Sequence, residues 1–154
     1  EADQLPPSYR QLLAHHSHMT VTLEEFHRSM VDVRVLDSIT SNSHYSRTIV
    51  LHRKSDSKAV QYGIVRLHRS FLEDEVFEEI VEQREPLGRI LIRHNVLRQV
   101  KLLSLWNVEL GPALKSALDR SELEICYGRT ALIYCNGLPA VELLEIVVAD
   151  DDEA

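Results

Sequence analysis

The strongest constraint on the fold lies near the end of the chain, where two apolar segments flank an Asn-Gly pair. Residues 127–135 and 138–148 are rich in Ile, Val, Leu and Tyr, and Asn136-Gly137 separates them. Asn-Gly is the preferred pair for a type I′ turn, because both central residues of that turn take positive φ angles. The sequence therefore predicts an antiparallel β-hairpin over residues 127–148.

A carboxylate interrupts the second strand of this hairpin. Glu145 lies on the same side as Leu143 and Val147, whereas Glu142 lies on the other side, because side chains alternate along a strand. A carboxylate on an apolar face loses its water and needs a cation or hydrogen-bond donors as partners. The position of Glu145 thus predicts a partner on a neighbouring element.

Arg47 is the best candidate for that partner. In the segment "YSRTIVL" it shares a side with Ile49 and Leu51, and a guanidinium there is as unusual as the carboxylate. Its planar fork suits a carboxylate of the protein or of a ligand. Two interpretations follow: a structural ion pair, or a ligand site inside a cavity.

The remaining segments alternate between helical and β patterns. Apolar residues recur at helical or at alternating spacing, with polar, Gly or Pro residues between the segments. This order predicts an α+β fold with a single six-stranded antiparallel β-sheet and helices packed mainly on one face. We predict helices near residues 12–13 and over 20–28, 70–84, 86–94 and 113–118, and strands over 30–36, 45–53, 59–69 and 96–108 besides the hairpin.

Length and charge limit the class of protein. A chain of 154 residues fits one domain, 1–154, in which we expect the acidic tail 149–154 to be disordered. Of the net charge of −7, four negatives come from residues 150–153. The balanced remainder predicts no nucleic-acid partner, because such binding needs clustered Lys and Arg. Without an apolar run that could span a bilayer, we expect no membrane partner and a cytoplasmic location.

Residues with metal or redox chemistry are few. The histidines of "HHSH", His15, His16 and His18, have no carboxylate or cysteine at a ligand-like interval, so we predict an exposed loop and no metal site. Cys126 and Cys135 are expected to be small buried residues. No phosphate loop, glycine fingerprint or Ser-His-Asp order is present, and we expect no cofactor.

A glycine next to a proline marks another candidate site. In "PLGR", Pro86 to Arg89, Gly88 would let backbone N–H groups approach a bound anion closely. The alternative is a simple turn between helices, with Leu87 in the core.

The order of these motifs resembles the chorismate lyase (chorismate pyruvate-lyase) family. The likeness covers about residues 12–148 and rests on "HMT", "VDVRVL", "YSRTIVL", "EPLGRIL" and "YGRTALIYCNGLP" followed by "LLEIV". It implies the same six-stranded fold around a closed, cofactor-free cavity. It also implies a lyase that eliminates pyruvate from chorismate to give 4-hydroxybenzoate, for ubiquinone or other aromatic biosynthesis.

The resemblance also implies roles for individual residues. Arg47 and Glu145 correspond to the catalytic arginine and carboxylate, and the backbone N–H groups of Met19 and Leu87 correspond to ligand contacts, with Gly88 beside them. Glu142 stays open as an alternative functional carboxylate. The expected partners are chorismate and 4-hydroxybenzoate, bound by a monomer or a homodimer.

Two departures from the family weaken the catalytic interpretation. The last strand has one more residue before Glu145, so a bulge or register shift is needed. The loop 108–124 is longer than in compact members, which changes the expected lid of the cavity. The architecture also resembles effector-binding domains of bacterial transcription regulators, so the alternative is a non-catalytic domain that binds or senses an aromatic acid.

Overall fold

The computed structural model of the protein describes residues 4–94 and 98–149. Helices and strands follow one another in the order that the sequence patterns predict. They are α1 (Pro7–Leu13), α2 (Met19–His27), β1 (Val31–Thr40), β2 (His44–Arg53), β3 (Ala59–His68), α3 (Asp74–Val81), α4 (Leu87–Arg93), β4 (Arg98–Glu109), α5 (Pro112–Leu118), β5 (Ile125–Cys135) and β6 (Leu138–Val147).

The six strands form one antiparallel sheet in the order β1-β2-β3-β6-β5-β4. The final hairpin therefore lies inside the sheet, with β6 against β3, and the edges are β1 and β4. This arrangement confirms the predicted α+β class and strand number. In the described part of the chain, no helix is long and apolar enough to cross a membrane.

Four helices cover one face of the sheet in two groups. Leu12 and Leu23, from α1 and α2, are buried with side chains of β2 and β6 such as Leu51. Ile80 and Ile90, from α3 and α4, are buried in a second cluster over the other end of the same face. A cavity lies between these two groups, with Met19 of the first and Leu87 of the second in its wall.

The fifth helix lies on the opposite face. Leu118 of α5 is buried together with Val50, Cys126 and Ile146, whose side chains point away from the other four helices. The segment 108–124 therefore continues β4, forms α5 and covers the back of the sheet. It does not lie over the cavity.

The rest of the back face is less covered than the apolar pattern of β4 suggests. The apolar strand pattern around Trp106 favours a core position for it, but half of its surface is exposed, at 50%. It lies on the edge strand β4, where a neighbour exists on one side only, and its indole N–H donates to Thr130 Oγ1 at 3.3 Å. Cys126 and Cys135 are buried, as expected.

The turn of the final hairpin has the predicted conformation, and a bulge follows it. Asn136 and Gly137 have φ angles of 53° and 85°. Tyr134 pairs with Pro139, but Ile133 pairs with Val141, so Ala140 is the additional residue. The bulge shifts every later pair by one position, and as a result Arg129 lies opposite Glu145.

Some predicted boundaries differ from the structure. The helix predicted over 70–84 begins only at Asp74, because residues 69–71 make a 3-10 turn and Leu72 is extended. Ala149, which we assigned to the acidic tail, is buried, and its N–H donates to the Tyr9 hydroxyl at 3.4 Å. The rest of that tail, 150–154, lies outside the described residues.

Candidate binding cavity

A cavity lies between the covered face of the sheet and the beginnings of α2 and α4. About 450 Å³ between its walls is not occupied by protein atoms, including the part that opens to solvent. Little of this space is open enough for water, so a larger ligand must displace side chains when it enters.

Arg47 points from β2 into this cavity and is only 2% exposed. Its Nη1 donates to the Ile80 carbonyl at 3.2 Å and its Nη2 to the Glu85 carbonyl at 3.3 Å. Among the described residues, its Nε has no acceptor and its guanidinium has no carboxylate partner. Burial without such a partner lowers the pKa of Arg47.

Glu145 also lines the cavity, but its partner is Arg129 and not Arg47. Arg129 Nε donates to Glu145 Oε1 at 2.8 Å, and the guanidinium is fully buried. Its Nη1 and Nη2 donate to the carbonyls of His15 and Ser17, each at 3.0 Å. The predicted pair of Arg47 and Glu145 is thus wrong, because the bulge at Ala140 aligns Arg129 with Glu145 on the adjacent strand.

Arg129 was not among the predicted site residues, although the sequence does contain a sign of it. Arg129 shares a side with Ala131 and Ile133, which are buried, so it is as unusual on its strand as Arg47 is on β2. The same alternation argument would have given three charged residues on one face instead of two.

Arg47 and Glu145 nevertheless share one face and one cavity. Arg47 pairs with Val65 on β3, whereas Glu145 lies opposite Gly63, two residues away on the same strand. That separation is roughly 7 Å along the strand direction. Strand β3 lies between β2 and β6, so the two side chains mark two ends of the cavity.

Gln61 is a further polar residue of the cavity that was not predicted from the sequence. It is 4% exposed, and its Oε1 has no hydrogen-bond donor among the described residues. On "AVQYGIV" it alternates with Gly63 and Val65 and therefore faces the helices. A polar side chain on the buried side of a strand was the available sign.

The beginnings of two helices complete the cavity wall. Met19 and Leu87 are the first residues of α2 and α4, and both line the cavity. Gly88 allows the two helices to pack closely, since a Cβ there would lie 3.0 Å from Thr20 Oγ1. Glu142, in contrast, is exposed on the opposite face, where it contacts His68 at 3.3 Å, so it does not reach the cavity.

The histidines of the loop before α2 differ from one another. His16 is exposed as predicted, but His18 is buried and immediately precedes α2. His15 Nε2 donates to the Leu12 carbonyl at 2.6 Å, and its Nδ1 accepts from Ser17 N–H at 3.0 Å. Burial and the nearby Arg129 lower the pKa of His15, which keeps its ring neutral.

No group of three or more His, Cys, Asp or Glu side chains that could hold a metal ion occurs in residues 4–94 and 98–149.

Comparisons with known proteins find similarity in structure only. No protein-family model matches the sequence, and no curated protein matches it at a significant level. The effector domain of PhnF from Mycobacterium smegmatis superimposes with a TM-score of 0.64 over 88% of this chain and 90% of that chain, at 8% identity. The fold is the chorismate lyase-like fold of GntR effector domains.

Two other solved structures agree with this assignment. The ligand-binding domain of a protein assigned to the GntR family of regulators, from Bordetella bronchiseptica, gives a TM-score of 0.59 at 12% identity over 78% of this chain and 86% of that chain. The possible transcriptional regulator YydK from Bacillus subtilis gives 0.58 at 14% identity over 82% of this chain. Our chain spans 59% of the YydK chain.

These neighbours overturn the predicted enzyme. They are described as regulators, or as effector or ligand-binding domains of regulators, and not as enzymes. The prediction of a chorismate pyruvate-lyase in ubiquinone or other aromatic biosynthesis is therefore wrong. The neighbours support the fold of chorismate lyase and give no support to its reaction.

Proposed function

We propose that this chain is a small-molecule-binding domain that takes up an anionic ligand in the cavity, with Arg47 as the group that binds the anion. The observation that carries the proposal is the state of Arg47. Among the described residues, this buried guanidinium has no acceptor at its Nε and no carboxylate partner.

The physical argument is the cost of burying a charge. A buried cation without an anionic partner is costly, and carbonyl oxygens compensate only part of the lost hydration. A carboxylate or phosphate of a ligand would supply the missing negative charge, and the planar guanidinium binds such groups through parallel hydrogen bonds. Backbone N–H groups of Met19 and Leu87, in the first turns of two helices, would add donors.

The structural neighbours support a binding role. Two of them are described as an effector domain and as a ligand-binding domain, which fits a cavity that holds a small molecule. The expectation that no nucleic acid is involved lacks support, because the neighbours include transcriptional regulators. Among anions we favour aromatic acids such as 4-hydroxybenzoate, following the resemblance of the site motifs.

The test compares two arginines on opposite faces of the sheet. We expect Arg47→Met to weaken binding of 4-hydroxybenzoate at least tenfold by calorimetry, with an unchanged or higher Tm, because an uncompensated buried charge is removed. The control is Arg66→Met on the exposed back face, which should bind as the unchanged protein does. Equal affinity of Arg47→Met and the unchanged protein would refute the proposal.

A further inference from the structure

Among the described residues of the cavity, Gln61 and Arg47 are the two with a buried polar atom that lacks a partner. Arg47 Nε is a donor without an acceptor, and Gln61 Oε1 is an acceptor without a donor, within the described residues. A buried polar atom left unpaired costs free energy, so each is a place where a ligand atom would be favoured. Arg47 Nε requires an acceptor on that ligand, and Gln61 Oε1 requires a donor.

The backbone of β3 explains where the Gln61 amide lies. Gly63 has no side chain, and a Cβ placed there would lie 3.0 Å from Gln61 Nε2. The carboxamide therefore lies over Gly63, in the position that a side chain of residue 63 would occupy. Because Gly63 is opposite Glu145, the Gln61 amide and the Glu145 carboxylate lie at the same end of the cavity.

At that end, Arg129 is already held by three hydrogen bonds to the protein. Its Nε, Nη1 and Nη2 all donate to protein oxygens, of Glu145, His15 and Ser17. The side-chain oxygens of Gln61 and Glu145 place acceptors at this end of the cavity, beside the N–H groups of the Gln61 amide and of Arg129. The Arg47 end, roughly 7 Å away along β3, is rich in donors.

We infer that the ligand carries an anionic group at one end and a hydrogen-bond donor, a hydroxyl or an amino group, at the other, and that Gln61 Oε1 accepts from this donor. The inference rests on the proposed function, since it assumes that the anion binds Arg47. It makes Gln61 a residue that determines specificity.

The experiment compares anions with and without the donor. One set is 4-hydroxybenzoate against benzoate and 4-methoxybenzoate, and a second set is glycerol 3-phosphate against methyl phosphate. We expect the unchanged protein to bind the donor-bearing member of at least one set ten times or more tightly, because a site built for a donor rejects an analogue that lacks it.

Two substitutions then assign the preference to Gln61. Gln61→Met keeps the length and removes the acceptor, and we expect the ratio of affinities to fall below about threefold, with an unchanged or higher Tm. Gln61→Asn withdraws the acceptor by one methylene and serves the same purpose if the Met variant does not fold. A preference that survives in these variants would overturn the assignment.

The outcomes separate this inference from the proposed function. If the unchanged protein binds none of these anions, the proposed function is contradicted, and this inference is contradicted with it. If it binds anions through Arg47 but binds both members of each set equally, only the requirement for a donor is wrong.

Discussion

Arg47 and Arg129 are both buried on the same face of the sheet, yet their surroundings give them different roles. Arg129 is neutralised by Glu145 and holds the carbonyls of the loop before α2 through two further hydrogen bonds. Arg47 donates to two backbone carbonyls and interacts with the Tyr45 side chain, and no carboxylate pairs with it among the described residues. The charge of Arg129 is therefore compensated within the protein, and we propose Arg47 as the group that binds an anion.

Removal of the carboxylate at position 145 tests the role of this ion pair. We expect Glu145→Gln to lower the free energy of unfolding by about 3 kcal/mol, because it leaves the Arg129 charge buried and uncompensated. Urea denaturation measures the change. Glu142→Gln on the exposed face is the control and should change stability by less than about 0.5 kcal/mol. Equal effects of the two substitutions would contradict the assignment.

The neutral ring of His15 predicts a dependence of stability on pH. The pKa of His15 is lowered in the folded state, first by burial and then by Arg129, so below pH 6.5 the unfolded chain binds a proton more readily. The contribution of the neutral His15 ring to the free energy of unfolding is complete above about pH 6.5, and it is lost as the pH falls towards the folded-state pKa. We expect the Tm of the unchanged protein to decrease as the pH is lowered from 7.5 to 5.5.

The comparison with two variants isolates this histidine. His15→Asn should show a smaller loss of Tm over the same interval, whereas His16→Asn, at an exposed position, should keep the original slope. A pH slope that is the same in His15→Asn and in the unchanged protein would show that other groups cause it.

For individual residues, the sequence predicts the face of the sheet on which a side chain lies better than it predicts the interaction partner of that side chain. Alternation correctly placed Arg47 and Glu145 on one face and Glu142 on the other. The partner of Glu145 could not be predicted, because it depends on the bulge at Ala140. A regular two-residue hairpin would have paired Arg129 with Leu144.

The positions of helices and strands follow from local sequence patterns, but the way in which these elements pack against one another does not. Apolar periodicity and the Asn-Gly turn predicted the order of helices and strands and the final hairpin. The side of the sheet on which α5 packs depends on the register of β5 and β6, which places Cys126 and Ile146 on the back face. Leu118 alone, in a short helical pattern, cannot indicate which face receives it.

The close approach of β5 and β6 makes Gly128 a sensitive position. A Cβ there would lie 2.8 Å from the Glu145 carbonyl oxygen, so Gly128→Ala must move the backbone of one of the strands. We expect a loss of about 2 kcal/mol in the free energy of unfolding, measured in urea.

Gly111→Ala is the matched control, because nothing lies within 4 Å of the added Cβ. Its expected cost is below about 1 kcal/mol, from the weaker preference for Ala before a helix. If the two substitutions cost the same, steric contact between β5 and β6 is not the cause.

At the scale of the whole molecule, stability should decrease from the centre of the sheet to one edge. Strands β3 and β6 have neighbours on both sides and are packed by helices, whereas residues 36–40 at the end of β1 are exposed and have a neighbour on one side only. We expect amide hydrogens of residues 36–40 to exchange at least a hundredfold faster than those of β6, because edges open locally without global unfolding.

Hydrogen exchange followed by mass spectrometry measures this gradient. Peptides from 36–40 and from β6 can be compared within one sample, so each serves as the reference for the other. Equal protection of both would mean that the sheet opens only as a unit.

The back of the sheet gives the cavity a connection to α5. Glu145 faces the cavity, and the next residue, Ile146, packs with Leu118 on the other side. Because Glu145 and Ile146 are consecutive residues, a shift of the β6 backbone at this point moves both side chains. A ligand that displaces the β6 backbone from the cavity side would therefore also displace Ile146, and through it α5, which the ligand does not contact.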